Sequence, residues 1–198
     1  SGSGNSIPEH LSHLRIALIE RGTFGGTCLN VGCIPSKMFV LPADLAHQAG
    51  HSAHLGIDTV FNGADWPAIR DRVFGRIDPI TAGGEQYRAS GTPNVTLLRG
   101  TAVFDGDRNG SDLVITIADG IDAGRVLSAP RYFLAAGARP TIPAIAGLDS
   151  VRYHTSDTVM RLEQLPRRLG VIGGGFIAAE MGHVFSGLGS EVHLFNRS

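Results

Sequence analysis

The two cysteines of this chain, Cys28 and Cys33, stand five residues apart in the run Gly25-Gly26-Thr27-Cys28-Leu29-Asn30-Val31-Gly32-Cys33-Ile34-Pro35-Ser36-Lys37. A structural disulfide usually joins distant segments of a small secreted domain. A bridge this local removes little chain entropy, because the loop it closes is short. The pair therefore points to redox work in a reducing compartment. Gly32 leaves the backbone room to bring two sulfurs together. Pro35 suits a helix start, and a helix N-terminus beside Cys33 favours a thiolate there. A zinc site is the rival reading, but it needs a second pair of ligands. The eight histidines are scattered and none pairs with this loop, so no metal is expected. Two inert buried cysteines are the other rival, and they leave the glycines unexplained.

A second chemistry-bearing stretch is Gly173-Gly174-Gly175-Phe176-Ile177-Ala178, which matches G-x-G-x-x-A. It falls between a strand expected at Leu169–Ile172 and a helix expected over Phe176–Ser186. In that context Gly173 permits the tight turn, Gly175 lets the backbone approach a pyrophosphate, and the small Ala178 lets helix and strand lie close. The helix N-terminus offers unpaired N–H groups to the phosphate. The next strand, Glu191–Phe195, ends at Asn196 and Arg197. An acid there would bind a ribose 2′-hydroxyl, whereas an arginine binds a 2′-phosphate, so NADPH is expected rather than NADH. A solvated arginine at a strand end is the bland alternative.

The elements that must position these groups can be read in outline. Ser1–Asn5 has the look of a cloning linker, or of the tail of another phosphate-binding glycine loop through Gly2 and Gly4. The order of the next elements favours the loop. A helix is expected over Ile7–His13, then a buried strand over Arg15–Glu20 ending in the acid Glu20, which is placed to bind an adenosine ribose. On this reading the first strand and first glycine lie before residue 1. Ser36–Gln48 and Trp66–Tyr87 read as helices. Asn94–Phe104, Asp112–Ile117 and Val126–Leu134 read as a three-strand meander separated by Gly- and Asp-rich turns. Arg139–Gly147 is a proline-rich crossing and a plausible domain boundary, and Asp157–Leu165 reads as a short helix. The fold class expected is α/β, with two Rossmann-like dinucleotide-binding units and a β-meander, truncated at both ends. The expected domains are a first dinucleotide-binding domain at 1–147, lacking its first strand, and the front of an NADPH-binding domain at 148–198.

Composition sets bounds on function. Apolar residues make up 42% of the chain and charged residues 18%, enough to bury a core, and the net charge of −1 gives no basis for nucleic-acid binding. No apolar run approaches a membrane span. Lys37 is the only lysine among many arginines, for which a GC-rich genome is the plain explanation.

At the cysteine motif the chain resembles the pyridine nucleotide–disulfide oxidoreductases, and the resemblance covers essentially its whole length. Leu134-Ala135-Ala136-Gly137-Ala138-Arg139-Pro140 resembles the second flavin signature of that family, with Ala136 in place of the commoner threonine. Gly100-Thr101-Ala102-Val103-Phe104 resembles the segment whose backbone meets the flavin adenine. VFGRIDPI (73–80), YHTSDTVM (153–160), GFIAAE and HVFSGLG (175–189) resemble the actinobacterial mycothione reductases within the family. Lipoamide dehydrogenases share CLNVGCIPSK but carry an acid where Asn196 stands.

The resemblance implies an enzyme in which NADPH reduces FAD and the flavin reduces a Cys28–Cys33 disulfide, which then reduces a small-molecule disulfide. Cys33 would lie against the flavin as a charge-transfer thiolate, and Cys28 would be the exposed interchange thiol. Lys37 and Glu180 would form an ion pair near the flavin ring, and Phe176 would gate the nicotinamide pocket. FAD contacts are implied for Gly2, Gly4, Glu20, Gly26, Thr27, Lys37, Ala102, Ala136 and Gly137. NADPH contacts are implied for Gly173, Gly175, Phe176, Ile177, Glu180 and Arg197. The leaving-thiol acid of the family is a histidine–glutamate pair in a C-terminal domain, so no histidine of this chain is given that role. The family is homodimeric and cytoplasmic, with no nucleic-acid or membrane partner. The alternatives are dihydrolipoamide dehydrogenase, another thiol–disulfide reductase, or a fragment that is inactive alone.

Overall fold

A computed structural model describes residues 7–196. The chain forms two compact units. One comprises the described residues up to Asn30 together with Asp78–Ala138, and the other Val31–Ile77 together with Arg139 to the last described residue.

In the first unit, strand β1 (Ile16–Glu20) pairs in parallel with β2 (Val95–Arg99), Ile16 opposite Val95 and Glu20 opposite Arg99. Strands β3 (Ala102–Asn109), β4 (Asp112–Ile117) and β5 (Val126–Ala129) form an antiparallel meander in the order β3-β4-β5. The single strand expected over Asn94–Phe104 is thus two strands in two sheets. The reason is Gly100: a Cβ there would fall 2.1 Å from the Asp119 carbonyl oxygen and 2.5 Å from the Ile117 side chain, so the chain can turn there only through glycine. Thr101 anchors the start of the new strand, its N–H and hydroxyl donating to the two carboxylate oxygens of Asp119 at 2.7 and 2.8 Å.

The last expected strand is also shorter. β5 stops at Ala129, and Tyr132–Leu134 lie outside the described strands, with Phe133 and Leu134 exposed. Extended backbone becomes a strand only by pairing its N–H and C=O groups with a neighbour. The helices expected at Ile7–His13 and Asp157–Leu165 reduce to single 3₁₀ turns, Glu9–Leu11 and Val159–Arg161. Segments this short make too few hydrogen bonds to offset helix nucleation.

The second unit contains helix α2 (Cys33–His51), the opening of the long helix α3 (Trp66–Ser90), and a parallel pair β6 (Arg168–Ile172) and β7 (Glu191–Phe195) joined by helix α4 (Phe176–Gly187). Helix α1 (Gly26–Asn30) belongs to the first unit. The core of the second unit is aromatic. Phe39 stacks on Trp66 with centroids 5.1 Å apart, and Trp66 meets Phe185 at 5.1 Å. The indole N–H of Trp66 donates to the Leu162 carbonyl at 2.7 Å, so this large side chain is buried without an orphaned donor.

Helix α2 carries two prolines, and each has a local solution. Pro35 lies in the first turn, where its missing N–H has no intrahelical acceptor to lose. Pro42 lies mid-helix and leaves the Met38 carbonyl without its usual donor. Arg72 of α3 replaces it, donating to that oxygen at 3.2 Å.

In the first unit, Asn30 closes α1. Its amide donates to the carbonyls of Phe24 at 2.8 Å and Gly26 at 3.0 Å, and its side-chain oxygen accepts from the Thr81 hydroxyl at 2.7 Å. Both residues are buried. Thr81→Val keeps the shape and removes the donor, leaving a buried acceptor unpaired. A loss of about 1–3 kcal/mol is expected in urea unfolding, and an unchanged midpoint would show that this bond does not pin the cysteine segment.

Candidate functional site

Cys33 is the first residue of α2, and Gly32 is its N-cap. The Ser36 N–H donates to the Gly32 carbonyl at 3.0 Å, the first intrahelical bond, so Cys33 stands in the turn whose own N–H groups have no intrahelical acceptor. Its thiol is exposed. One turn on, Lys37 sits on the same face. The Lys37 ammonium donates to Glu180 Oε1 at 2.8 Å, across to α4. The structure therefore brings together Cys33, Lys37 and Glu180 within the second unit.

The two charges hold each other ionised. The hydrogen bond and charge of Glu180 raise Lys37 above its ordinary range, with a smaller raising effect from Cys33. The hydrogen bond from Lys37 lowers Glu180 against an opposing effect of burial, and the Ser36 hydroxyl adds a further lowering hydrogen bond. Lys37 is largely open to solvent and Glu180 is mostly covered, so solvent screens the pair and its contribution to stability is small.

What sets the Lys37–Glu180 distance is the approach of the helices. A Cβ on Gly187 would lie 2.9 Å from the Ala43 carbonyl oxygen and 3.1 Å from the Ala43 side chain, so α4 meets α2 closely only because that residue is glycine. A second polar bridge, His183 Nε2 to Asp44 Oδ1 at 2.6 Å, joins the same two helices.

The glycine loop leads into α4. Gly173 has φ of +125°, its N–H donates to the Phe195 carbonyl at 2.8 Å, and Gly175 is the N-cap. A Cβ on Gly174 would lie 2.8 Å from the Asn196 side chain. At Gly175 a Cβ would meet no described atom within 4 Å, and its φ of −80° is open to any residue. Neither packing nor backbone strain requires glycine there, so the open backbone in front of the α4 N-terminus fits a nucleotide pyrophosphate. Phe176 is 82% exposed, enough to leave its ring open to a ligand, and Ile177 beside it is exposed too.

In the first unit, Gly26 (φ +76°), Thr27 and Cys28 open α1, with Thr27 and Cys28 exposed. Glu20 ends β1 and accepts the Gly22 N–H at 2.8 Å through Oε1. Ala102 starts β3, and Ala136 with Gly137 (φ +73°) lies in the extended run after β5. Gly2, Gly4 and Arg197 fall outside the described residues. Among the described residues no group of three His, Cys, Asp or Glu side chains could hold a metal, and no helix is long and apolar enough to cross a membrane.

Sequence reasoning did not find Ser36, Asn30, Arg72 or the Asp44–His183 bridge. Each acts through a partner far along the chain, Ser36 included, whose hydroxyl reaches Glu180.

The match to known proteins involves the same residues. Residues 6–198 match the profile of the pyridine nucleotide-disulphide oxidoreductases, and the chain belongs to that family. It is 47% identical over its whole length to a mycothione reductase of Mycobacterium tuberculosis, of which it covers 42%. It is 37% identical to a mercuric reductase of Shigella flexneri over 93% of this chain and 32% of that protein. Among solved structures it resembles the HOCl-induced flavoprotein disulfide reductase RclA from Escherichia coli, with a TM-score of 0.73 and 26% identity over 93% of this chain and 38% of that one. The chain thus spans less than half the length of these relatives.

Because Lys37 holds Glu180 below its ordinary value of 4.5, the pair's contribution to stability is present above that value and fades as pH falls through the depressed midpoint. Lys37→Met removes the dominant lowering cause and leaves burial, so the Glu180 carboxyl should titrate higher, read by carbon NMR of its side chain. An unmoved midpoint would mean that the ion pair is not formed in solution.

Proposed function

We propose that this chain carries the nucleotide-binding and dithiol part of an NADPH-dependent flavoprotein disulfide reductase whose substrate is mycothione, reduced to mycothiol. Residues 1–147 would bind FAD and 148–198 would begin the NADPH site. The observation that carries the proposal is the Lys37–Glu180 ion pair. It ties the helix headed by Cys33 to the helix that succeeds the glycine loop, so one contact sets the sulfur chemistry against the nucleotide loop.

When bound, the flavin supplies the passage of two electrons from the nicotinamide to a Cys28–Cys33 disulfide. The chain's own residues do the rest. Glu20 accepts a ribose hydroxyl of FAD, and Gly2, Gly4, Gly26, Thr27, Ala102, Ala136 and Gly137 bring backbone or small side chains to it. Gly173 and Gly175 admit the NADPH pyrophosphate to the N-terminus of α4, with Phe176 and Ile177 at the nicotinamide end. Arg197 takes the 2′-phosphate, and Asn196 presents no charge to repel it. Lys37, held by Glu180, supplies positive charge beside Cys33.

In the reduced dithiol, the Cys28 thiolate attacks one substrate sulfur. The substrate S–S bond breaks, and the leaving sulfur departs with the electron pair and takes a proton. Cys33 then attacks Cys28 Sγ, releasing the second thiol and restoring the Cys28–Cys33 disulfide. One dithiol and one disulfide become one disulfide and two thiols. The mycothione assignment rests on identity to relatives of that name and on the motifs at 73–80, 153–160 and 175–189.

The test is an anaerobic titration of the flavin-loaded chain with NADPH, monitored by absorbance. The chain should accept about two equivalents, one for the flavin and one for the disulfide, and Cys33→Ser about one. Reoxidation of the dithiol by mycothione ahead of glutathione disulfide and lipoamide would support the substrate. Equal uptake by the chain and Cys33→Ser would remove the cysteines from the electron path.

A further inference from the structure

In the first unit, the turn after β1 is held by two residues that stand opposite each other at the ends of the parallel strands. Glu20 and Arg99 are register partners, the last residues of β1 and β2. Both reach Gly22. The Gly22 N–H donates to Glu20 Oε1 at 2.8 Å, and Arg99 Nη2 donates to the Gly22 carbonyl at 2.8 Å. Glycine is the least restrained backbone in a chain. Packing adds little here, since a Cβ on Gly22 would make only ordinary contact, 3.5 Å from Glu20 Oε1. The two hydrogen bonds therefore set how this residue is turned. Arg99 is itself fixed at both ends. Its backbone N–H donates to Asp122 Oδ2 at 2.8 Å, and its Nε lies 3.4 Å from Glu85 Oε1 on α3. A planar guanidinium can serve the Gly22 carbonyl and Glu85 together, which a single ammonium does poorly.

We propose that Arg99 is a positioning residue for the adenosine ribose of FAD, acting through Gly22 on Glu20. The proposal rests on the reading that Glu20 accepts a ribose hydroxyl. The C-terminal ends of parallel strands are where such sheets bind nucleotides. The Gly22 N–H takes one carboxylate oxygen of Glu20 and leaves the other for a second donor. Ordering a free glutamate side chain costs entropy. A carboxylate already held by the turn meets that cost before the ligand arrives. With the Gly22 carbonyl released, the turn is free to swing its N–H away from Glu20. The sequence gave Arg99 no role because it falls inside one expected strand, Asn94–Phe104, and its part emerges only when β2 lies beside β1.

The test is FAD binding to the flavin-free chain, followed by quenching of flavin fluorescence, in a double-mutant cycle of Glu20→Ala and Arg99→Met. Each single change should weaken FAD by about tenfold, and the double variant should be little weaker than either. A merely structural loss would instead recur at full size in the Glu20→Ala background. Arg99→Lys keeps a charged donor at this position and should lose less than Arg99→Met. It carries the same cycle if the methionine variant does not fold. An undiminished Arg99 effect in the Glu20→Ala background, or full affinity in both Arg99 variants, would overturn the proposal while leaving Glu20 its role. Full affinity in Glu20→Ala, or no FAD binding by the unsubstituted chain, would instead remove the reading of Glu20 on which the proposal rests.

Discussion

The contact between α2 and α4 is the constraint on which the second unit depends. Gly187 allows the helices to approach to the point where Ala43 and the α4 backbone touch, and at that spacing two polar bridges close, Lys37 with Glu180 and Asp44 with His183. The order of partners along the helices is the same in both, early with early and later with later, so the bridges fix a register as well as a distance. The bridges are partly solvated and add little energy. Burial of Phe39, Trp66, Val184 and Phe185 supplies the packing, at roughly 1.5–3 kcal/mol for each large apolar side chain. Apolar packing thus holds the helices together, while the polar bridges choose which residues face which.

That division explains why both prolines of α2 are tolerated. A helix that must present Cys33 at its first turn and Lys37 at its second gains from a stiff N-terminus, which Pro35 supplies. Pro42 sacrifices a backbone hydrogen bond two turns further on, and Arg72 restores it from α3. The same use of long-range partners occurs in the first unit, where Thr81 completes the set of bonds to Asn30. In both places a side chain distant in sequence satisfies a polar group that the local chain leaves open.

This is also where the sequence was legible and where it was not. The strand–turn–helix–strand of residues 168–195 could be read because each step has a local cause: apolar run, glycine turn, apolar-periodic helix, apolar run. The cysteine helix could be read for the same reason. The break at Gly100 could not, because it is set by the Asp119 carbonyl across the meander, and a glycine in a strand pattern reads equally well as a bulge. Tyr132–Ala136 differs from its sequence reading for a related reason. Its residues suit a strand, yet strand formation is a property of the pair and not of one stretch of residues. The ion pair Lys37–Glu180 came from family resemblance alone, since nothing local in either stretch names a partner 143 residues away.

Glycines separate what the fold needs from what a ligand needs. At Gly100, Gly174 and Gly187 an added Cβ would strike protein atoms, so those glycines serve the chain's own packing. At Gly175 an added Cβ would strike no described atom, and the backbone angles there would suit any residue. At the head of a twelve-residue helix, such a glycine leaves space in front of the backbone N–H groups. A helix N-terminus favours an anion in that space. The same loop therefore contains both kinds of glycine: Gly174 makes room for Asn196, and Gly175 leaves open backbone of the kind that the proposed nucleotide site would use.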